Sequence, residues 1–126
     1  MNKRTVVISL GSNLGNRLKN LGAAVNALRL CGFDIKDMSR VWETLPWGET
    51  NQPRFLNMCL TAKTDMSCDD MLVTIKKIEK ELGRTETKHW GPREIDIDIL
   101  LAGDEIYESE GLTIPHQLMQ ERAFVL

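Results

Sequence analysis

The stretch Trp90-Gly91-Pro92-Arg93-Glu94-Ile95-Asp96-Ile97-Asp98-Ile99-Leu100-Leu101 decides the fold, because a turn signal runs directly into a strong strand pattern. Pro92 fixes its own φ and has no amide hydrogen to donate, so we expect the strand to begin after it. The residues that follow alternate with the period of a half-buried strand. One face carries Ile95, Ile97, Ile99 and Leu101, and the other carries Glu94, Asp96, Asp98 and Leu100.

The strand predicts a pair of carboxylates on one face. Alternation puts Asp96 and Asp98 on the same side, roughly 6.5–7 Å apart at Cα. Their mutual repulsion becomes favourable when a divalent cation lies between them, and Mg²⁺ prefers one or two carboxylates together with water and phosphate oxygens. Arg93 could bind phosphate oxygens in a fork. The alternative is a solvated acidic edge strand, which is the better interpretation of an isolated Asp-x-Asp; the preceding Trp-Gly-Pro-Arg makes this pair more specific.

Length and composition indicate one globular domain. The 126 residues suffice for a hydrophobic core, with 42% hydrophobic and 27% charged residues. The net charge of −2 gives no overall attraction to nucleic acid. Cys31, Cys59 and Cys68 are odd in number and lack CxxC spacing, which favours a reducing, cytoplasmic location over disulfides or zinc. No apolar run reaches transmembrane length, so we expect no membrane association.

The order of the elements predicts an α+β, ferredoxin-like βαββαβ fold with an antiparallel sheet and helices packed on it. Gly103-Asp104 is predicted to turn a C-terminal hairpin into Glu105-Ile106-Tyr107, and a short helix is expected over Gln117–Arg122. The predicted strands cover Thr5–Leu10, Phe33–Glu43, Phe55–Thr64 and the Ile95–Leu101 alternation, and the predicted helices cover Arg17–Cys31 and Ser67–Leu82.

Both helices carry apolar stripes and end signals. Asn16 is the expected N-cap of the first helix, after a turn over Gly11–Asn16, and Ser67 is the expected N-cap of the second. The turn lacks the lysine and spacing of a P-loop, so a phosphate-binding role for it is disfavoured. The predicted buried stripes are Leu18, Leu21, Val25, Leu28 and Leu30, then Met71, Leu72, Ile75, Ile78 and Leu82; on spacing alone, Glu79 is expected to be solvated.

The strand Phe55–Thr64 alternates as well, with Leu56, Met58, Leu60 and Ala62 on its core face. Its other face carries Phe55 and Asn57, which suit a flat ligand with polar edges: the ring offers a stacking surface and the amide offers a donor and an acceptor. Ordinary cross-strand pairing explains the two residues equally well. If helices cover one face of the sheet, these residues share the other with Asp96 and Asp98. Basic residues expected nearby as phosphate partners, Arg84, Lys88, Arg93, His116 and Arg122, predict a metal-assisted phosphoryl-type transferase.

Several stretches together resemble one known family, 6-hydroxymethyl-7,8-dihydropterin pyrophosphokinase of folate biosynthesis. They are Leu10–Gly15, Thr44–Gly48, Phe55–Asn57, Gly83-Arg84, Trp90–Leu101 and Leu112–His116 with Arg122. The resemblance covers essentially the whole chain, and its specific part is the Trp-Gly-Pro-Arg stretch with Asp-x-Asp. It implies a single pyrophosphokinase domain over residues 1–126, although family chains usually continue beyond Phe124-Val125-Leu126.

The resemblance implies that diphosphate moves as a unit from ATP to the hydroxymethyl-dihydropterin, releasing AMP, with two Mg²⁺ ions on Asp96 and Asp98. We expect a monomer that uses these small molecules alone. By resemblance, the catalytic residues are Arg84, Arg93, Asp96 and Asp98. Pterin-binding residues would be Thr44, Leu45, Trp47, Phe55, Asn57 and Phe124, and nucleotide-binding residues would be Glu79, Arg84, Trp90, Arg93, Ile99, Thr113, His116 and Arg122.

Two alternatives stay open at this point. One is a non-catalytic ferredoxin-like module that binds a metabolite or RNA on its sheet, although the paired carboxylates and negative charge argue against RNA. The other is a truncated or inactive copy that binds ATP or pterin without turnover. Departures from the family pattern motivate it: Glu86 and Thr87 stand in a loop where a basic residue is common, and Gln117 follows His116.

Overall fold

A long central strand, β1 (Arg4–Ser12), organises the sheet. The computed structural model describes residues 3–44, 54–83, 95–103, 107–109 and 112–114. After β1 the chain forms α1 (Arg17–Leu30), β2 (Asp34–Met38), β3 (Trp42–Thr44), β4 (Phe55–Thr64), α2 (Cys68–Glu81), β5 (Asp96–Ala102), β6 (Tyr107–Ser109) and β7 (Leu112–Ile114).

The main sheet has the strand order β2-β4-β1-β5, and the short β3 also pairs with β4. Every pairing in it is antiparallel, with β1 between β4 and β5. This is the order of a ferredoxin-like βαββαβ unit in which β3 is an additional strand. The predicted α+β class and ferredoxin-like sheet are therefore confirmed.

The core lies between one face of this sheet and the two helices. Val6, Ile8 and Leu10 alternate along β1 and are completely buried. Strands β4 and β5 contribute Met58, Leu60, Ala62, Ile97 and Ile99 to the same cluster, and Ile95 joins it directly before β5. The helices add Leu21, Ala24, Val25, Leu28, Met71, Ile75 and Ile78. Burial of these apolar side chains fixes which face of each strand turns away from the helices.

Both helices begin as the sequence predicts. The Asn16 side chain accepts a hydrogen bond from the Lys19 amide at 3.1 Å, and Ser67 Oγ accepts one from the Asp70 amide at 3.1 Å. Each cap satisfies one of the amides that a helix N-terminus leaves without an intrahelical partner. Gly32, at φ +108°, follows α1 in a backbone conformation that favours glycine.

The predicted stripe of α1 is wrong at its two ends. Leu18 is 63% exposed and Leu30 is 78% exposed, whereas Leu21, Val25 and Leu28 are buried. Leu30 lies two residues after Leu28, which is roughly 200° around the helix and therefore on the opposite side. Ala24, which the prediction omitted, completes the buried stripe.

Three predicted boundaries also change. The segment Phe33–Glu43 forms two strands, because the chain leaves β2 at Ser39 and re-enters the sheet at Trp42. Gly11 and Ser12, predicted as part of a turn, continue β1 and pair with β4. In the C-terminal hairpin, β6 pairs with β7. The turn predicted at Gly103-Asp104 and the helix predicted over Gln117–Arg122 extend outside the described residues. Gly103 donates its amide hydrogen to the Thr5 carbonyl at 2.8 Å.

The alternation predicted for β5 holds only as far as Ile99. The register between β1 and β5 shifts after Val7, so that Ile8 pairs with Ile99 but Val7 pairs with Leu101. Leu100 is the extra residue of this β-bulge, and a bulge shifts the alternation of the two strand faces by one residue. Ala102 is consequently in register with Val6 and is buried in the core. Across the described ranges, no helix combines the length and apolar character needed to cross a membrane.

Candidate functional site

The sheet face turned away from the helices, here called the site face, carries Ser9 and Gly11 of β1, Phe55, Asn57 and Cys59 of β4, and Asp96 and Asp98 of β5. Burial of the alternate residues of each strand determines which side chains lie on the site face. Because Ile95, Ile97 and Ile99 enter the core, Asp96 and Asp98 must lie on the opposite side. The prediction that the two carboxylates share a face with Phe55 and Asn57 is therefore confirmed.

Strand register arranges the site face in two cross-strand rows. In the first row, Trp42 pairs with Asn57, Asn57 with Gly11, and Gly11 with Asp96. In the second row, Cys59 pairs with Ser9, and Ser9 with Asp98. Each row crosses β4, β1 and β5, and neighbouring strands lie about 4.7–4.9 Å apart. The Asn57 and Asp96 backbones are thus roughly 10 Å apart, with only a glycine between them.

The Asn57 amide is held in a defined orientation. Its Nδ2 donates a hydrogen bond to Thr44 Oγ1 at 2.6 Å, and the side chain is largely buried at 6% exposure. Thr44 on β3 is in register with Phe55 on β4, so β3 brings the amide's partner to the same end of the sheet. A buried amide with one end fixed presents its remaining polar atom in a fixed direction, which suits recognition of a polar ring edge.

The carboxylate pair has the composition of a magnesium site. Asp96 and Asp98 are half-buried and lie two residues apart on the same face of β5. Among the described residues, no group of three or more histidine, cysteine, aspartate or glutamate side chains is placed to hold a metal, and the pair on β5 is a group of two. Two carboxylates on one face could hold Mg²⁺, which binds through one or two carboxylates together with waters and substrate phosphates.

Glu79 on α2 is buried at 3% exposure, so the prediction that it is solvated is wrong. Its Oε2 accepts a hydrogen bond from the Ile97 amide at 2.9 Å, and Lys76 Nζ lies 3.9 Å from its Oε1. Ile97 is the residue between Asp96 and Asp98. The carboxylate therefore supports the backbone of the acidic strand from the helix side, a contact that helix spacing alone does not reveal.

Ser9 and Cys59 are neighbouring residues on the site face. Burial raises the pKa of the Cys59 thiol, and a hydrogen bond with the side chain of the buried Ser9 opposes this shift with a smaller effect. A raised pKa disfavours the reactive thiolate form of Cys59. Gly11 was predicted as part of a turn, and neither Ser9 nor Gly11 was predicted as a site residue, since only the strand register shows that they adjoin the carboxylates.

The remaining predicted site residues divide into two groups. Ile99 is 1% exposed with its side chain in the core, so any nucleotide contact from it has to use its backbone, and Thr113 lies on β7 in register with Glu108. Both assignments stay predictions. Other assigned residues lie outside the described residues and also stay predictions: Leu45, Trp47, Arg84, Lys88, Trp90, Arg93, His116, Arg122 and Phe124.

Comparison with known proteins gives a consistent result. Residues 7–126 match the family model for 7,8-dihydro-6-hydroxymethylpterin-pyrophosphokinase (HPPK). A 2-amino-4-hydroxy-6-hydroxymethyldihydropteridine pyrophosphokinase of Aquifex aeolicus is 45% identical over 120 residues, which are 95% of this chain and 74% of the relative. The Bacillus subtilis protein of the same name is 43% identical over 120 residues, 94% of this chain and 72% of the relative.

Longer relatives contain the matching region as one part. The mitochondrial folate synthesis bifunctional protein of Pisum sativum is 44% identical over 121 residues, which cover 96% of this chain but only 24% of the pea protein. A crystal structure of Plasmodium falciparum HPPK-DHPS superposes with a TM-score of 0.73 at 17% identity, covering 98% of this chain and 40% of that one. At that identity the likeness shows the fold alone.

Proposed function

The chain belongs to the HPPK family of ATP-dependent diphosphotransferases, and on this premise we propose that it transfers diphosphate from ATP to 6-hydroxymethyl-7,8-dihydropterin, releasing AMP. The observation that supports the proposal most strongly is the shared site face. A stacking ring and an oriented amide on β4 lie two strands from paired carboxylates on β5. A flat acceptor and a charged donor can therefore occupy neighbouring parts of one surface.

The proposed reaction is an in-line displacement at the β-phosphorus of ATP. The pterin hydroxymethyl oxygen forms a new bond to that phosphorus, and the bond to the oxygen bridging the α- and β-phosphates breaks. AMP leaves with the bridging oxygen, and the hydroxyl proton is lost to solvent. Little covalent chemistry falls to the protein in such a step, so positioning and charge stabilisation supply most of the rate.

Asp96 and Asp98 are the residues that would hold Mg²⁺, and their half-buried, rigid placement fits that role. When bound, the metal neutralises the negative charge that redistributes over the phosphate oxygens. Two ions, as the family resemblance implies, are part of the proposal. The strand fixes the spacing of the two carboxylates, and Glu79 supports the backbone between them through the Ile97 amide.

The acceptor would lie at the β4 side of the site face. Phe55 offers a stacking surface for the pterin ring, and Asn57 reads the polar edge of that ring while Thr44 holds its amide. The nucleotide would extend past β5, with Arg84, Trp90, Arg93, His116 and Arg122 as its proposed partners. This division makes the two ligands separable by mutation, which is the basis of the predictions below.

The test is AMP formation from ATP with and without 6-hydroxymethyl-7,8-dihydropterin, in Mg²⁺ and then in EDTA. The proposal predicts AMP release that requires both the pterin and Mg²⁺. Saturable binding of both ligands without AMP would contradict transfer and identify a binding protein instead. Failure of the folded protein to bind either ligand would contradict the assignment of the whole site.

A further inference from the structure

Gly11 occupies the centre of the first cross-strand row, between Asn57 on one side and Asp96 on the other. The position is buried and belongs to a regular strand, where glycine is unfavourable because it packs no side chain and loses more backbone entropy than other residues. Neither a turn nor a positive φ explains a glycine here, since the positive-φ glycines of the described chain are Gly15, Gly32, Gly83 and Gly103. A local reason in the packing of the site face is needed.

The reason for a glycine at position 11 is the close packing of the Phe55 and Asn57 side chains against it. A Cβ at Gly11 would come within 3.3 Å of Asn57 Oδ1 and 3.3 Å of Phe55 Cδ1. Both distances are tighter than ordinary van der Waals contact, so at least one of the side chains would have to move. Asn57 cannot turn aside easily, because its Nδ2 is bonded to Thr44 Oγ1 at 2.6 Å. Displacement of the Phe55 ring is the remaining accommodation.

We propose that Gly11 is a positioning residue for the acceptor: its missing side chain lets the Phe55 ring and the Asn57 amide lie against β1. The inference rests on the proposed function and deepens it. A Cβ would project about 1.5 Å from the backbone between the amide and the carboxylates. Its absence keeps the surface from Asn57 to Asp96 level, as a flat bicyclic ring with a hydroxymethyl group directed toward the phosphates requires.

The direct test compares Gly11→Ala with the matched control Gly22→Ala, which adds the same methyl group to a glycine with no neighbour within 4 Å. We expect Gly11→Ala to weaken binding of 6-hydroxymethyl-7,8-dihydropterin by about tenfold or more, because sub-ångström misplacement of binding groups has large effects. Affinity for a non-hydrolysable Mg-ATP analogue should change by less than about twofold. Gly22→Ala should bind both ligands as the wild type does.

A second experiment tests whether the methyl group added at position 11 weakens pterin binding by displacing the Phe55 ring. In a Phe55→Ala background the Cβ at position 11 has less to displace, so Gly11→Ala should lose a smaller factor in pterin affinity than in the wild type. Wild-type pterin affinity in the folded Gly11→Ala variant, or an equal loss in both backgrounds, would overturn the proposal. Failure of the wild-type protein itself to bind pterin would instead overturn the proposed function.

A third measurement needs no variant and remains decisive if Gly11→Ala does not fold. In an NMR titration of the wild-type protein, a pterin ring seated on this surface must shift the Gly11 amide and α-proton resonances through its ring current. The Gly22 resonances on the far helix should stay in place. Pterin binding that leaves Gly11 unshifted would overturn the proposal.

Discussion

At the scale of single residues, the proposed magnesium site depends on the charges of Asp96 and Asp98. Replacing either with asparagine keeps the shape of the side chain but removes one negative charge from the proposed magnesium site. We predict that each variant slows Mg²⁺-dependent AMP release by at least about 100-fold, since a bound metal supplies several kcal/mol of charge stabilisation. The exposed Asp65, away from the site face, provides the control Asp65→Asn for loss of charge alone. Rates within about threefold of the wild type in both site variants would contradict the metal assignment.

Phe55 carries the corresponding prediction for the acceptor. Phe55→Ala removes the stacking ring, and we predict roughly 10- to 100-fold weaker pterin binding from the lost apolar contact and ring stacking. The affinity for the Mg-ATP analogue should stay within about twofold, as measured by calorimetry on the same samples. Phe55→Tyr, which keeps the ring, should retain most of the pterin affinity. An equal loss of both ligands in Phe55→Ala would show that the two parts of the site are not separate.

The sequence alone predicted that Asp96, Asp98, Phe55 and Asn57 lie on one face of the sheet, because a two-residue period indicates directly which side chains share a face. It did not predict the role of Gly11, since a glycine in a strand acquires meaning only from the side chains that register places beside it. The burial of Glu79 was not predicted, for a related reason. A charged residue at that helical spacing is usually solvated, and its partner is a backbone amide that no side-chain pattern encodes.

At the scale of elements, α2 and β5 are joined through the buried Glu79 carboxylate. Glu79→Ala would leave the Ile97 amide without this acceptor, and a buried donor that loses its partner costs about 1–3 kcal/mol. We predict a lower melting temperature and weaker Mg²⁺-dependent nucleotide binding, because the amide lies between Asp96 and Asp98. Glu79→Gln keeps an acceptor oxygen and should lose less of both.

The matched control for Glu79 is Glu81→Ala, an exposed glutamate two residues further along the same helix. It should leave the melting temperature nearly unchanged. If Glu79→Ala proves as stable as Glu81→Ala and binds the nucleotide as the wild type does, the hydrogen bond to Ile97 does not support the acidic strand.

Elements were predicted well where the sequence signals agree and less well where they compete. Phe55–Thr64 was predicted with its observed bounds because the side-chain alternation and the flanking loop signals agree. The alternation of β5 failed beyond Ile99 because a bulge opposite β1 reverses the faces, and bulges depend on the partner strand. The pairing of β6 with β7 was missed because Gly103-Asp104 is a strong turn signal close to Tyr107.

At the scale of the whole molecule, two helices on one face of an antiparallel sheet determine where chemistry can occur. The helices pack against the alternate apolar residues of β1, β4 and β5, so the polar residues between these apolar residues lie on the other face of the sheet. Element order was enough to predict this architecture. What element order could not provide is the alignment of Asn57, Gly11 and Asp96 in one row, which places the proposed acceptor beside the proposed metal.

The most direct test of the central claim follows each phosphorus of ATP separately. With the α-, β- or γ-phosphate of ATP labelled in turn and 6-hydroxymethyl-7,8-dihydropterin present in Mg²⁺, the products are separated and counted. Transfer of diphosphate as a unit predicts the α label in AMP and both the β and γ labels in the pterin product, in equal amounts. A pterin product carrying only the γ label, or β and γ labels recovered only as free phosphate or diphosphate, would contradict the account.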